Sequence, residues 1–319
     1  MTLELNEGSD PKAVQASLQS LARRMVTGLS QLNLPRHIAD LVIADTVAQQ
    51  YVQSPNRDHS SFLDAYLALR DHKTIGVFGG SRLEQSCPAH ESLFRPFNRA
   101  LGRLLQDGGW SVVSGGGPGT AMKGLQYCLK DAYCSSQPRN CLAVSIASGL
   151  NDEKLHRHAN IIVRTPEDIT IRERMIYGLS KVGLFYPGHI GTIAEGSEAL
   201  LQNYVKERGP YPYDPAPMVL VSYKLGDGTH YWQNFLNQFQ DTSVREGLSK
   251  GESYEWLKMI VLPSQQEVGS MTPQDRDWLF ARKAEQVMMF ADQWINGKYG
   301  HTLNGGFGSQ PVDLSDYTI

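Results

Sequence analysis

The stretch YPGHIGTIAEGSEALL, residues 186–201, places Pro187, Gly188, His189, Gly191, Thr192 and Glu195 in close succession. Gly188 and Gly191 permit tight turning and close backbone approach. Thr192 suits a helix N-cap, which leaves the first N–H groups of the helix facing whatever lies in front of it. Such a helix start attracts anions. Glu195 brings a carboxylate to the same place. An anion grip beside a carboxylate suits an enzyme that holds a phosphate and does chemistry next to it. Thr192-x-x-Glu195 also reads as a capping box, in which the glutamate ties back to the N-cap N–H.

Short apolar runs and helical patterns alternate from residue 73 onward and must carry these residues. TIGVFGG (74–80), WSVVSGGG (110–117), CLAVSIA (141–147), ANIIVRT (159–165), VGLFYPG (182–188) and APMVLVSY (216–223) read as strands. SLFRPFNRALGRLLQDGG (92–109), PEDITIRERMIYGLSK (166–181) and PQDRDWLFARKAEQVMMFADQWING (273–297) read as helices. Strands without strict alternation, separated by helices, predict an α/β fold: a Rossmann-like, doubly wound parallel sheet. Residues 11–70 show helical stripes, with Leu18, Leu21, Met25 and Leu32 on one and Ile38, Leu41, Val42 and Val47 on another. The expected organisation is a helical extension over 1–70, the nucleotide-binding unit over 71–265, and a C-terminal helix with a Gly-rich tail over 266–319. The tail, if ordered, must lie against something, a partner subunit among the choices.

Glycine loops follow the strands in GGSR (79–82), SGGGPGTAMKG (114–124) and PGHIGT (187–192). In such a sheet ligands bind at the carboxyl ends of the strands. Neither common nucleotide template fits. The dinucleotide pattern started at Gly117 and Gly119 ends on Met122, and the P-loop pattern over Gly119 and Gly124 meets Leu125 instead of lysine.

The combination resembles the LONELY GUY phosphoribohydrolases, long mislabelled lysine decarboxylases, and within them the bacterial nucleotide 5′-monophosphate nucleosidases. The resemblance covers roughly residues 73–262. The Gly-Ser turn after the first strand is matched by VFGGSR, and the second glycine loop by SGGGPGTAMKG with one added residue before Met122. The signature P-G-G-x-G-T-x-x-E is matched by Pro187, Gly188, Gly191, Thr192 and Glu195. Arg172 stands where the family has an arginine, fifteen residues before that proline. The chain departs from the family at His189, in place of the second glycine, and at Glu173, where lysine is common. Arg174 lies too far around the helix from Arg172 for both to face one site.

The resemblance implies hydrolysis of a nucleoside 5′-monophosphate to free base and ribose 5-phosphate, without a cofactor. Glu195 and Arg172 are the implied catalytic residues. Gly80, Ser81, Gly115, Gly116, Gly117, Gly119, Gly188, His189, Gly191 and Thr192 are the implied substrate- and phosphate-binding residues. A homodimer or higher even oligomer is implied as well.

The chain has 319 residues, 41% apolar and 20% charged, with a formal net charge of −3, which does not suit a general nucleic-acid binder. No stretch is long and apolar enough for a membrane helix, and the opening residues lack the apolar core of a signal peptide. Cys87, Cys128, Cys134 and Cys141 form no C-x-x-C pair, which fits a reducing, cytoplasmic setting. His156 and His158 have the spacing of two ligands on a strand, but no third ligand is evident, so no metal is expected. Tyr211 and Tyr213 belong to a surface loop or edge the pocket, and Met288, Met289 and Phe290 read as core. The rival functions are a nucleotide-binding or sensing protein without turnover, a pyridoxal-dependent decarboxylase, for which no lysine motif is present, and an interaction module built on the helical flanks.

Overall fold

Runs rich in Val, Ile and Phe pair side by side here, as β-branched and aromatic side chains favour on a pleated surface. The computed structural model describes residues 28–29, 32, 34–51, 60–80, 89–116, 141–148, 159–165, 169–208, 216–237 and 255–296. Its strands are β1 (Lys73–Phe78), β2 (Trp110–Ser114), β3 (Ala143–Ser148), β4 (Ile161–Thr165), β5 (Val182–Phe185), β6 (Met218–Tyr223) and β7 (Leu257–Leu262). Among the described residues they form one seven-stranded sheet in the order β4-β3-β2-β1-β5-β6-β7. Every neighbouring pair is parallel.

Both faces of this sheet are buried, which removes the polar half of the usual strand alternation. Ile75, Val77, Val112, Val182, Leu184, Val219 and Val221 point into one core. Phe78, Val113, Val144, Phe185, Met218 and Leu220 point into the other. The first core is covered by α3 (Arg95–Asp107), entered through a π-helical turn over His90–Phe94, and by α8 (Pro273–Asn296). The second is covered by α1 (Arg36–Tyr51), α2 (Phe62–Leu69), α4 (Ile169–Leu179), α5 (Ile190–Arg208) and α6 (Tyr231–Asn237). The short α7 (Gln265–Gly269) links β7 to α8. Right-handed crossovers running outward from β1 in one direction and from β5 in the other require helices on opposite faces. The sheet is therefore doubly wound, as the sequence predicts.

The helix α4 has a particular place in this plan. It carries the chain from the edge strand β4 back across the sheet to β5, and packs on β3, β2 and β1 on the way.

Several boundaries differ from the sequence reading. The strands β1, β2 and β5 stop at Phe78, Ser114 and Phe185, short of the glycines at which the sequence runs end. The strand β7 has no counterpart in the reading. It is an edge strand whose exposed Lys258 interrupts a short apolar run. Leu32 was expected in a buried stripe but lies in a turn, 40% exposed, whereas Ile38, Leu41 and Val42 are buried. Within α8, Phe280, Ala284, Val287, Met288 and Ala291 are buried at helical spacing, while Met289 faces solvent. Leu18, Leu21, Met25, the paired histidines His156 and His158, Tyr211, Tyr213 and the tail after Asn296 lie outside the described residues. Among the described residues no helix is long and apolar enough to cross a membrane.

Candidate functional site

Sheet order reverses between β1 and β5, so the chains leaving these two strands part to opposite faces and open a crevice at their carboxyl ends. The two strands stay in register slightly beyond their ends. Tyr186 N donates to Phe78 O at 2.9 Å, and Gly80 N donates to Pro187 O at 3.3 Å.

Gly188 follows at once and is held on all sides. A Cβ there would lie 2.6 Å from Thr192 Cβ and 2.7 Å from Gly80 N, so only glycine fits. Its peptide groups are held by Tyr231 at the start of α6. The Tyr231 hydroxyl accepts from Gly188 N at 3.2 Å and donates to Gly188 O. Tyr231 is itself fixed by its neighbour Trp232, which is fully buried and donates its indole N–H to Val221 O at 2.9 Å.

The helix α5 begins earlier than its sequence suggests. Ile193 N donates to His189 O at 3.1 Å, which makes His189 the capping residue and Ile190 the first helical position. Thr192 is thus not the N-cap but the third helical residue, buried against Gly188. The expected capping box from Thr192 to Glu195 is not formed, because the Pro-Gly turn releases the chain into the helix three residues sooner. The described capping boxes are elsewhere, at Ser61 with Asp64 and at Ser264 with Glu267. Glu195 sits in the second turn of α5. His189 is exposed, as is Gly191, where an added Cβ meets nothing within 4 Å.

The arginine comes from α4. Arg172 Nη2 donates to Gly115 O at 3.3 Å, just past the end of β2. A Cβ on Gly115 would sit 2.1 Å from that nitrogen, so glycine is what admits the guanidinium. Gly116 has φ +72°, a left-handed conformation that favours glycine, and its N–H donates to Ser114 Oγ at 3.2 Å. Arg174 is exposed and points elsewhere, with Nε 3.7 Å from Glu198 Oε1.

Glu195 and Arg172 meet electrostatically at this crest. Burial first, and then the charge of Glu173, push the Glu195 carboxyl up to about 8 against the opposing charge of Arg172. Glu173, the residue after Arg172, is buried. Tyr177 donates from its hydroxyl to the main-chain oxygen of Glu195 at 2.5 Å. Its ring stacks on Phe78 at 4.8 Å, and Phe78 stacks on Phe185 at 4.6 Å, forming an aromatic layer under the crevice. Burial holds the Tyr177 hydroxyl well above the usual tyrosine range, with Glu195 and Glu173 adding to the effect.

This arrangement narrows the donors left for an anion. Gly80, Gly116 and Gly188 already donate their N–H groups within the chain. The first N–H groups of α5, among them those of Gly191 and Thr192, have no acceptor in their own helix. Ser81, Gly117 and Gly119 lie outside the described residues. No group of three or more His, Cys, Asp or Glu able to hold a metal occurs among the described residues. Sequence reasoning missed Glu173 as a buried neighbour, Tyr177 and Tyr231. The two tyrosines act through contacts 18 and 43 residues along the chain, which leave no local pattern.

Fold and crevice together define an α/β protein with a doubly wound parallel sheet and its candidate site at the topological switch point. No family model matches the sequence, and no curated protein matches it. Among solved structures, one described as the X-ray structure of TM1055 shares 18% identity, covering 68% of this chain and 98% of that one, with a TM-score of 0.41. The molybdenum cofactor binding protein of Rippkaea orientalis shares 17% identity, covering 62% and 93%, with a TM-score of 0.38. The molybdenum cofactor carrier protein of Chlamydomonas reinhardtii shares 17% identity, covering 69% and 98%, with a TM-score of 0.40. Likenesses this distant carry no function to the chain, and the fold rests on its own sheet topology.

Proposed function

We propose that the chain hydrolyses the N-glycosidic bond of a nucleoside 5′-monophosphate, releasing free base and ribose 5-phosphate. The supporting observation is that Arg172, bonded to Gly115 O past the end of β2, acts through its charge on Glu195 in the second turn of α5, the helix that begins just beyond the end of β5. The phosphate sits on the first N–H groups of α5, where the helix dipole favours negative charge. Arg172, reaching the end of β2, adds a positive charge and keeps Glu195 from being still harder to ionise.

The C–N bond breaks as water adds to the anomeric carbon. The departing base keeps the bond's electron pair and takes up a proton from solvent, and the attacking water gives a proton to Glu195, which returns it to solvent. A carboxylate whose conjugate acid lies near 8 is a far stronger base than an ordinary one, and so is matched to this step near neutral pH. Its negative charge also favours the oxocarbenium character of the sugar, as carboxylates do in glycoside hydrolysis. Residues 71–265 form the nucleotide-binding unit in this proposal, acting in the cytoplasm, with the helical segments 1–70 and 266–319 as extensions.

The test is incubation of the pure protein with AMP, GMP, CMP, UMP, IMP and an N6-modified AMP, measuring free base and ribose 5-phosphate. Release of both products from at least one member supports the reading. A second reading, a nucleotide-binding or sensing protein without turnover, is favoured by the acidic Glu173 and by His189 in the glycine turn. Binding of a monophosphate with no product would establish it in place of the first.

The assembly proposal rests on α5. Ile190, Ile193 and Leu201 lie 74%, 39% and 62% exposed along that helix, an apolar stripe that a second copy of the chain would cover. A two-fold dimer is the expected result, since closed symmetry is the common solution. Light scattering at micromolar concentration checks it, and Leu201→Glu is expected to shift the population to monomer. A monomeric wild-type protein would sink this proposal.

A further inference from the structure

Helical spacing places Glu173 and Tyr177 one turn apart on α4, so their side chains share one face. Both are buried, and both bear on the same residue of the next helix: Tyr177 donates to the main-chain oxygen of Glu195 at 2.5 Å, and the charge of Glu173 acts on its carboxyl. The hydroxyl contact is additional to the ordinary helix ladder. It joins α4 to α5 at the one residue proposed to do chemistry.

We propose that Tyr177, with Glu173 one turn away, is a positioning residue for Glu195, fixing where its backbone stands and closing solvent off from its carboxyl. This rests on the reading of Glu195 as the working residue of the site. The ring of Tyr177 is held by Phe78 at an interplanar angle of 25° and lies 6.5 Å from Phe185, so the hydroxyl is aimed by aromatic packing from β1 and β5. The charged and titratable groups around it are Arg172 and Glu173 from α4, and Glu195 and Glu198 from α5, with Arg174 turned outward to Glu198. Two features separate positioning from simple packing. The contact is to the backbone of Glu195 and not to a neighbouring residue, and α4 also carries Arg172 and Glu173, whose opposite charges act on the Glu195 carboxyl, so a single helix bears on both the backbone and the side chain of one residue.

The experiment follows the Glu195 carboxyl directly. The full-length protein, labelled with ¹³C at the glutamate carboxyl carbons, is titrated by NMR as wild type, Tyr177→Phe and Glu173→Gln. Glu195→Gln identifies the resonance. Tyr177→Phe keeps the ring stack and loses only the hydroxyl. Its expected effect is a fall in the Glu195 midpoint of about half a unit or more, as solvent reaches the carboxyl. Glu173→Gln should lower the midpoint also, by removing a like charge. In the turnover assay, Tyr177→Phe is expected to lower kcat about tenfold while KM stays within about twofold, since misplacement of a reacting group acts on the chemical step. Tyr66→Phe, which removes a largely buried hydroxyl from α2, serves as the control for folding stability and should move neither value.

A lowered melting temperature with an unmoved Glu195 midpoint in Tyr177→Phe assigns the tyrosine to packing alone and overturns the inference. Absence of turnover in the wild type overturns the hydrolase reading, yet the titration still decides the role of Tyr177. The two failures are therefore distinct.

Discussion

Glu195→Ala is expected to lower turnover of the preferred monophosphate by about 100-fold or more, the loss that follows removal of one main electrostatic group at a reacting centre. Binding of the monophosphate should persist, because the proposed phosphate donors belong to the backbone of α5. Turnover within about threefold of wild type would remove Glu195 from the chemistry. The wild-type rate should also rise with pH, reach half its plateau near 8, where the carboxyl is half ionised, and level off above that.

The same residue makes a stability prediction of definite sign. An ordinary glutamate ionises near 4.5, whereas burial and Glu173 hold Glu195 up to about 8. Between those values the native state binds more protons than the unfolded chain, so this residue's share of stability falls as pH rises through the window. Glu195→Gln does not titrate. It should therefore become more stable relative to wild type on going from pH 5 to pH 8, by on the order of 1–3 kcal/mol. Denaturant titrations of both proteins at the two pH values check this. A constant difference would place the carboxyl in contact with solvent.

Gly188→Ala is the second large effect. The added methyl would stand 2.1 Å from Thr192 Oγ1 and 2.7 Å from the backbone nitrogen of Gly80, neither of which can move without disturbing α5 or the end of β1. Overpacking of this kind costs about 2 kcal/mol or more, and the shift should lower Tm by several degrees. Gly191→Ala is the informative comparison. It has open space around it and lies inside the helix, so alanine should stabilise by a few tenths to about 1 kcal/mol through helix propensity. Calorimetry on the two variants should give opposite signs. Equal destabilisation would mean that Gly191 is as tightly packed as Gly188.

The two glycines show how far a motif can be read without its structure. Both belong to one signature, and the sequence offers no way to tell that one is demanded by contact and the other is not. The strands were legible because each apolar run ends in glycine, proline or a polar turn, and the doubly wound plan followed from their alternation with helices. The start of α5 was not legible. Threonine is the better capping residue on propensity, but the Pro187–Gly188 turn, held by Tyr231 and Gly80, hands the chain to the helix at His189. Propensity yielded to a tertiary contact. The strand β7 was hidden for a similar reason, since an edge position tolerates Lys258 and blurs the apolar signal. The pairing of Arg172 with Glu195 rested on a spacing matched to a family; in the structure Arg172 reaches Gly115 O and acts on the Glu195 carboxyl through its charge. The acidity around that carboxyl was not visible, because burial of Glu173 depends on how α4 lies on the sheet.

The path of α4 across the sheet has a mechanical meaning. Its first half stands over the β2 end, where Arg172 meets Gly115, and its last turns stand beside β5 and α5, where Tyr177 meets Glu195. One helix thus works as a ruler laid over the seam between the two halves of the sheet. If the strands on either side of that seam slide, the arginine and the glutamate lose their alignment together, although each keeps its own local fold.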